Sequence, residues 1–251
     1  MSGTALVLSP HLDDAAFSCG GTMALLADAG WHVCMATAFT RTVPDPAGFA
    51  LACQLDKGLA PEVDYMALRR AEDRVAADVL GVADLRWLDL PEAPHRGYDS
   101  APALFGPVRD GDEVWRELAL AVSGLVESLR PALILAPQGL GEHVDHRQMI
   151  RAVLAAVADG PLAFYRDTPY AIRNPEALQN VTLPAMMETR VPIAVGLGRK
   201  VEAACAYSSQ VGFQFGGAAA AGEALRRFAA REGDGPPAER FLGSIPLVSK
   251  H

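Results

Sequence analysis

Ala5-Leu6-Val7-Leu8-Ser9-Pro10-His11-Leu12-Asp13-Asp14 carries the reading on which the fold turns. An apolar run of strand length stops at a turn, and two carboxylates stand ahead of a helical pattern from Ala16 to Ala29 that Gly30 ends. The same alternation continues outward. Trp31 to Phe39 reads as a second strand, Met66 to Leu80 as a helix stopped by Gly81, and Leu85 to Leu90 as a third strand. Val114 to Leu129 is strongly amphipathic, Pro131 turns the chain, and Ala132 to Ala136 is the next strand. A helix over Arg147 to Val157, strands at Leu162 to Tyr165 and Val191 to Val195, and a helix over Arg199 to Tyr207 follow, with a loop at Gly233 to Pro237. Short apolar runs alternating with helical patterns predict a single α/β domain over residues 1–251: a Rossmann-like, mostly parallel sheet flanked by helices. Two Pro- and Gly-punctuated stretches break the rhythm, Thr40 to Asp64 and Pro91 to Gly111. The first is too long for a simple connection and is a candidate substrate loop.

At 251 residues the chain can bury one large core or two small ones. A formal charge of −8 argues against nucleic acid, whose phosphates need concentrated Lys and Arg. Arg69, Arg70 and Arg74 form either a local basic patch or the solvated face of a helix. Cys19, Cys34, Cys53 and Cys205 are scattered without a C-x-x-C pair, which fits reduced thiols better than a disulfide framework. Nothing near the N-terminus reads as a signal peptide, and the alanine-rich stretch Gly216 to Gly222 is far too short to span a membrane. The expected location is the cytoplasm.

Two clusters carry chemistry. Ser9 to Asp14 follows the first strand, and Gly141-Glu142-His143-Val144-Asp145-His146 follows the strand that ends near Ala136. In an open parallel sheet, ligands sit beyond the carboxyl ends of the strands, so two clusters distant in sequence can share one crevice. Alone, Asp13-Asp14 reads as a helix cap, and His143 with His146 as surface residues of a loop. Taken together, two histidines and a carboxylate hold a catalytic metal with positions left open for water and substrate. A carboxylate that does not ligate can then serve as base.

With these motifs on view, His11-Leu12-Asp13-Asp14 with Cys19-Gly20-Gly21-Thr22, and His143-Val144-Asp145-His146-Arg147 downstream, resemble the PIG-L/LmbE family of zinc-dependent deacetylases. That family shows a Pro-His-Pro-Asp-Asp motif and a later His-x-Asp-His motif. The resemblance extends to Arg69-Arg70-Ala71-Glu72, to Leu80-Gly81 and to Ala206-Tyr207-Ser208-Ser209-Gln210. It implies His11, Asp14 and His146 as metal ligands, Asp13 as general base, and His143 as oxyanion stabiliser or proton donor to the leaving amine. Asp145 is then expected to orient His143 and raise its pKa. Arg69, or in second place Arg70, matches a family arginine that contacts substrate; the other reading is an exposed helix residue. Two positions depart from the family pattern: Leu12 replaces the usual Pro, and Ala15 stands where many members have Glu.

The resemblance implies hydrolysis of an N-acetyl group on an N-acetylglucosamine-type sugar or glycoconjugate. The cofactor it implies is Zn2+, with Fe2+ also suited to two histidines and a carboxylate. Two alternatives stand beside this: an amidase acting on another amide such as a thiol conjugate, and a metal-free α/β nucleotide-binding module. Gly20-Gly21 does not follow G-x-G-x-x-G and falls inside the helix, so close helix–sheet packing explains it better than a phosphate. Arg41, Asp45, Arg96, Tyr98 and Asp99 are candidates for lining a sugar cleft or are ordinary loop surface. His95 and His32 read as structural or surface residues.

Overall fold

A strand that is apolar on both faces needs cover on both, and β1 (Thr4–Ser9) receives it. Ala5 and Val7 point to one helical layer, Leu6 and Leu8 to another. The computed structural model describes residues 2–157, 160–175 and 183–247. After β1 come α1 (Asp14–Asp28), β2 (His32–Phe39), α2 (Gly48–Leu55), α3 (Tyr65–Leu80) and β3 (Asp84–Leu90). A 3-10 turn over Ala93–Arg96 leads to α4 (Ala101–Leu104), α5 (Val114–Leu129), β4 (Leu133–Pro137), α6 (Val144–Ala156) and β5 (Leu162–Tyr165). The chain continues through α7 (Tyr170–Arg173), β6 (Glu188–Pro192), α8 (Leu197–Ala206), α9 (Ser208–Phe215), α10 (Ala218–Glu232) and β7 (Ala238–Leu242).

These strands make one seven-stranded sheet in the order β3-β2-β1-β4-β5-β7-β6. The first five are parallel; β7 runs antiparallel between β5 and β6. On one face Phe17, Met23, Leu80, Ala203 and Leu225 of α1, α3, α8 and α10 pack against Val7, Val33 and Leu135. On the other, Leu118, Val122, Met149 and Val153 of α5 and α6 pack against Leu6, Leu8 and Ile134. The strand order reverses between β1 and β4, which opens a crevice at their carboxyl ends. Both sequence clusters leave the sheet there.

Local chemistry sets several boundaries. The Asp64 carboxylate accepts from the amide of Ala67 to start α3, and Gly81, at φ 75°, ends it. Helix α1 is broken at Cys19 (φ −129°, ψ 20°). The amides of Gly21 and Thr22 instead donate to the Glu239 carboxylate at 3.0 and 2.8 Å, and Lys200 Nζ donates to Ser18 O at 3.0 Å and to Glu239 at 2.6 Å. A Cβ on Gly21 would come within 2.8 Å of Ile193. The pair of glycines therefore serves close packing, as its place inside a helix implied, and the nucleotide-binding alternative is left without a glycine turn.

The sequence reading missed α2, α9, α10 and β7. Gly48 opens α2 after two prolines that read as loop, and α10 is alanine-rich, with small side chains that give a faint apolar period. Ala-Glu-Arg-Phe-Leu of β7 lacks the apolar run of the parallel strands because Glu239 is buried by pairing with Lys200. The expected strand at Val191 to Val195 is shifted to Glu188–Pro192.

Candidate metal centre and active site

The turn after β1 is built tightly. Ser9 Oγ donates to His11 O at 2.7 Å and accepts from the amide of Ala15 at 3.0 Å, which fixes the entry to α1. Asp13 is forced to φ 153°, a region that side-chain-bearing residues rarely adopt. Its amide bonds His11 O, and Arg69 donates to Leu12 O at 3.1 Å, so the strained turn is pinned from both sides. Beyond β4, Gly139, Gly141 and Glu142 have positive φ and swing the chain so that α6 starts with His143 as its cap. A side chain at Gly141 would overlap the ring of Tyr170.

These two turns bring His11, Asp14 and His146 together, with their ligand atoms within 4.8 Å of one another. Asp14 Oδ2 lies 3.1 Å from His11 Nδ1 and 3.2 Å from His146 Nε2. Behind each imidazole stands a second carboxylate. Asp145 Oδ2 is 2.9 Å from His11 Nε2, and Asp167 Oδ1 is 2.6 Å from His146 Nδ1. Asp145 is itself held by Arg96 at 2.7 Å and by the amide of Ala93. His146 Nε2 is buried without a hydrogen-bond partner. With Nδ1 donating to Asp167, Nε2 of the neutral ring turns its lone pair toward Asp14 Oδ2, a contact that either a divalent cation or a second ring proton completes. The donor set thus fits a divalent metal.

The electrostatics agree. Burial works against ionisation of Asp14, yet His146 and His11 hold its carboxyl well below the usual range. Burial likewise opposes charge on His146, but Asp14 and Asp167 raise it to about 9. Burial pushes Asp13 up to about 7, with the Arg69 guanidinium, 3.4 Å away, opposing.

His143 departs from expectation. Asp145 orients His11, not His143; the link between Asp145 and His143 is the Asp145 amide donating to His143 Nδ1 at 3.2 Å. Burial, then the neighbouring His11, lower His143 to about 3, and the attraction of Asp145 does not overcome them. It is a neutral imidazole whose Nδ1 accepts, so its proton sits on Nε2.

Arg69 is neither an exposed helix residue nor part of a basic patch. It is 3% exposed, donates to Glu92 at 2.6 Å and lies over the Tyr65 ring. Arg70 donates to Thr40 O, and Arg74 stacks on Trp87. His11, Asp13, Asp14 and His143 floor a cavity of about 530 Å3. Both irregular stretches line it, through Val43, Phe49 and Lys57 from the first and His95 and Phe105 from the second. Of the five polar loop residues considered for a cleft, Asp45 is in its wall. Tyr98 is buried and bonded to Asp112, Arg96 is held by Asp112 and Asp145, and Arg41 pairs with Asp89. His95, read from sequence as a structural or surface residue, faces the cavity. Asp167 and Glu92 were missed, though Asp167 lies just past a strand end, the signal that found the other two clusters.

Comparison with known proteins places the motifs in context. Residues 6–157 match the family described as PIG-L: GlcNAc-PI de-N-acetylase. A 2'-N-acetylparomamine deacetylase of Streptomyces fradiae is 36% identical over 171 residues, 67% of this chain and 58% of that one. A 1D-myo-inositol 2-acetamido-2-deoxy-alpha-D-glucopyranoside deacetylase of Kineococcus radiotolerans is 31% identical over 62% of this chain and 46% of its own. The chain thus spans about half the length of these two curated relatives. Among solved structures, a deacetylase–bog complex from the teicoplanin biosynthesis pathway superposes with a TM-score of 0.85 at 26% identity, covering 95% of this chain and 96% of that one.

Proposed function

The chain belongs to the PIG-L family, and we propose that it is a metal-dependent hydrolase that removes the acetyl group from an N-acetylglucosamine-type sugar or glycoconjugate, releasing acetate and a free amine. The observation that carries this reading is the convergence of His11, Asp14 and His146 beside Asp13 on the floor of one cavity. These three side chains would hold the cation, zinc in the first instance and iron(II) in the second. When bound, a divalent ion supplies a Lewis acid that acidifies water and polarises the acetyl carbonyl.

The protein's own residues do the rest. Asp13, carboxylate at the cavity floor, takes the proton of the attacking water and delivers it to the departing nitrogen. Arg69 keeps that carboxylate aimed by gripping both Asp13 and Leu12 O. His143 is neutral and offers Nε2–H to the oxygen that gains charge, a donor fixed before reaction and worth roughly a few kcal/mol. Asp145 and Asp167 steady the two ligand imidazoles. Arg69, at the cavity wall, is placed to meet a sugar hydroxyl as well.

Support for a sugar substrate comes from the relatives, whose names specify N-acetylated amino sugars, and from a cavity whose aromatic walls, Phe49, Phe105, Tyr65 and Tyr170, suit the apolar face of a hexose. Cys19, Cys34, Cys53 and Cys205 are free, which supports a reducing location such as the cytoplasm. Among the described residues no helix is long and apolar enough to cross a membrane. Acetate release measured across N-acetylated amino sugars, set against cleavage of bulkier amides such as thiol conjugates, tests the proposal. Preferred cleavage of the larger amides would replace it with the amidase reading, and turnover undiminished in His146→Ala would remove the metal from it.

A further inference from the structure

Two residues past the end of β5, Asp167 reaches from a third strand end into the floor of the site. It is 1% exposed, and both oxygens are engaged on opposite sides. Oδ1 lies 2.6 Å from His146 Nδ1, and Oδ2 accepts from the amides of Gly139 at 2.8 Å and Leu140 at 3.1 Å. An ionised carboxylate only accepts, so the ring nitrogen facing it carries a proton, and Nε2, 3.2 Å from Asp14, is the nitrogen that a neutral ring has left to ligate. Gly139 and Leu140 begin the segment that carries His143 and leads into α6.

From this geometry we propose that Asp167 is the positioning residue of the metal centre: it fixes the proton of His146 on Nδ1 and ties that choice to the backbone of the β4–α6 turn. The proposal rests on the cation reading above. Asp167 touches neither substrate nor metal and acts through His146. It raises the basicity of the ligating nitrogen and holds the ring to one orientation, roles for which loss of the partner typically weakens a metal site about 10- to 100-fold.

Asp167→Asn is the informative variant because it keeps the shape. An amide has one accepting end and one donating end, so it cannot accept from both His146 and the Gly139–Leu140 amides. Either the turn loses its anchor, or the NH2 faces Nδ1 and drives the proton to Nε2, where the cation should sit. Zinc affinity is measured on the full chain by competition with a chromophoric chelator, alongside nitrogen-15 NMR of the zinc-loaded protein. The expected result is a Kd about 10- to 100-fold higher in Asp167→Asn and Asp167→Ala, with an exchange-protected Nδ1 proton on His146 in the parent that Asp167→Ala loses. Loosening of the turn alone would not move that proton. Zinc binding within twofold of the parent in Asp167→Asn overturns the proposal, as does zinc-loaded parent protein with no protected Nδ1 proton. Should Asp167→Ala fail to fold, the Asn variant decides the matter. A parent that binds no zinc overturns the cation reading and this one with it, whereas a parent that binds zinc in this pattern but hydrolyses no amide leaves this one standing.

Discussion

Replacing Asp13 by alanine leaves His11, Asp14 and His146 in place and removes the group proposed to move protons. Turnover is expected to fall by several orders of magnitude while metal analysis still finds bound cation; loss of metal together with recovery of activity on adding zinc would contradict the role given to this residue. His143→Ala should lower kcat far more than it raises KM, since its Nε2–H matters where charge develops. A change confined to KM would make it a binding residue. Asp13 also leaves a mark on stability. Its folded carboxyl is raised to about 7 in the metal-free cluster, against roughly 4 for an unfolded aspartate. The stability it contributes is therefore present below about pH 4 and lost as pH rises through about 7. Asp14 and Asp145, held below their usual range, work in the opposite sense, so the comparison is between variants. After chelation, Asp13→Asn should match the parent in urea midpoint near pH 4 and exceed it near pH 8; an equal difference at both would exclude this titration.

Helix α1 shows how far an element can be read from its own residues. The sequence places it correctly because Asp13-Asp14 precede it and Gly30 follows, but nothing local announces the break at Cys19. The acceptor for its freed amides is Glu239, more than two hundred residues away, so the signal is tertiary. The parallel strands β1, β2, β4 and β5 were legible because they are apolar on both faces. By contrast β7 was hidden by its glutamate and arginine, and α10 by an alanine-rich first half that shows little apolar period. The meeting of His11, Asp14 and His146 was legible because both clusters belong to turns that leave the carboxyl ends of adjacent strands. The contact of Asp145 with His11 was not legible, because residues 134 apart in sequence give no local sign of meeting across the crevice, whereas His143 stands two residues away. Lys200→Met tests the break in α1. It leaves the Glu239 carboxylate buried at 4% exposure without its counter-charge, and a loss of about 3–5 kcal/mol is expected in urea denaturation. Lys200→Met combined with Glu239→Gln should recover part of that loss, and no recovery would mean that lost packing outweighs the unpaired charge.

At the scale of the whole molecule, the centre gathers side chains from the ends of β1, β4 and β5, strands that lie side by side at the reversal of strand order. A cation held there would join the turns after β1 and β4 directly, and the turn after β5 through Asp167 and His146. It should stabilise the fold by about 2.7 kcal/mol when free metal stands at a hundred times its Kd, and chelation should lower the melting temperature accordingly. An unchanged melting temperature would place the cation elsewhere or nowhere. The tie between α1 and Glu239 reaches further still. A ribosome releases α1 early, with the amides of Gly21 and Thr22 exposed at the break, and the carboxylate that receives them follows 217 residues after Thr22. Until then Lys200 has no counter-ion and the pocket floor rests on a helix in two loose halves. A chain stopped short of β7 would be born with every ligand of its centre and no settled platform beneath them, a substrate for proteases before it is an enzyme.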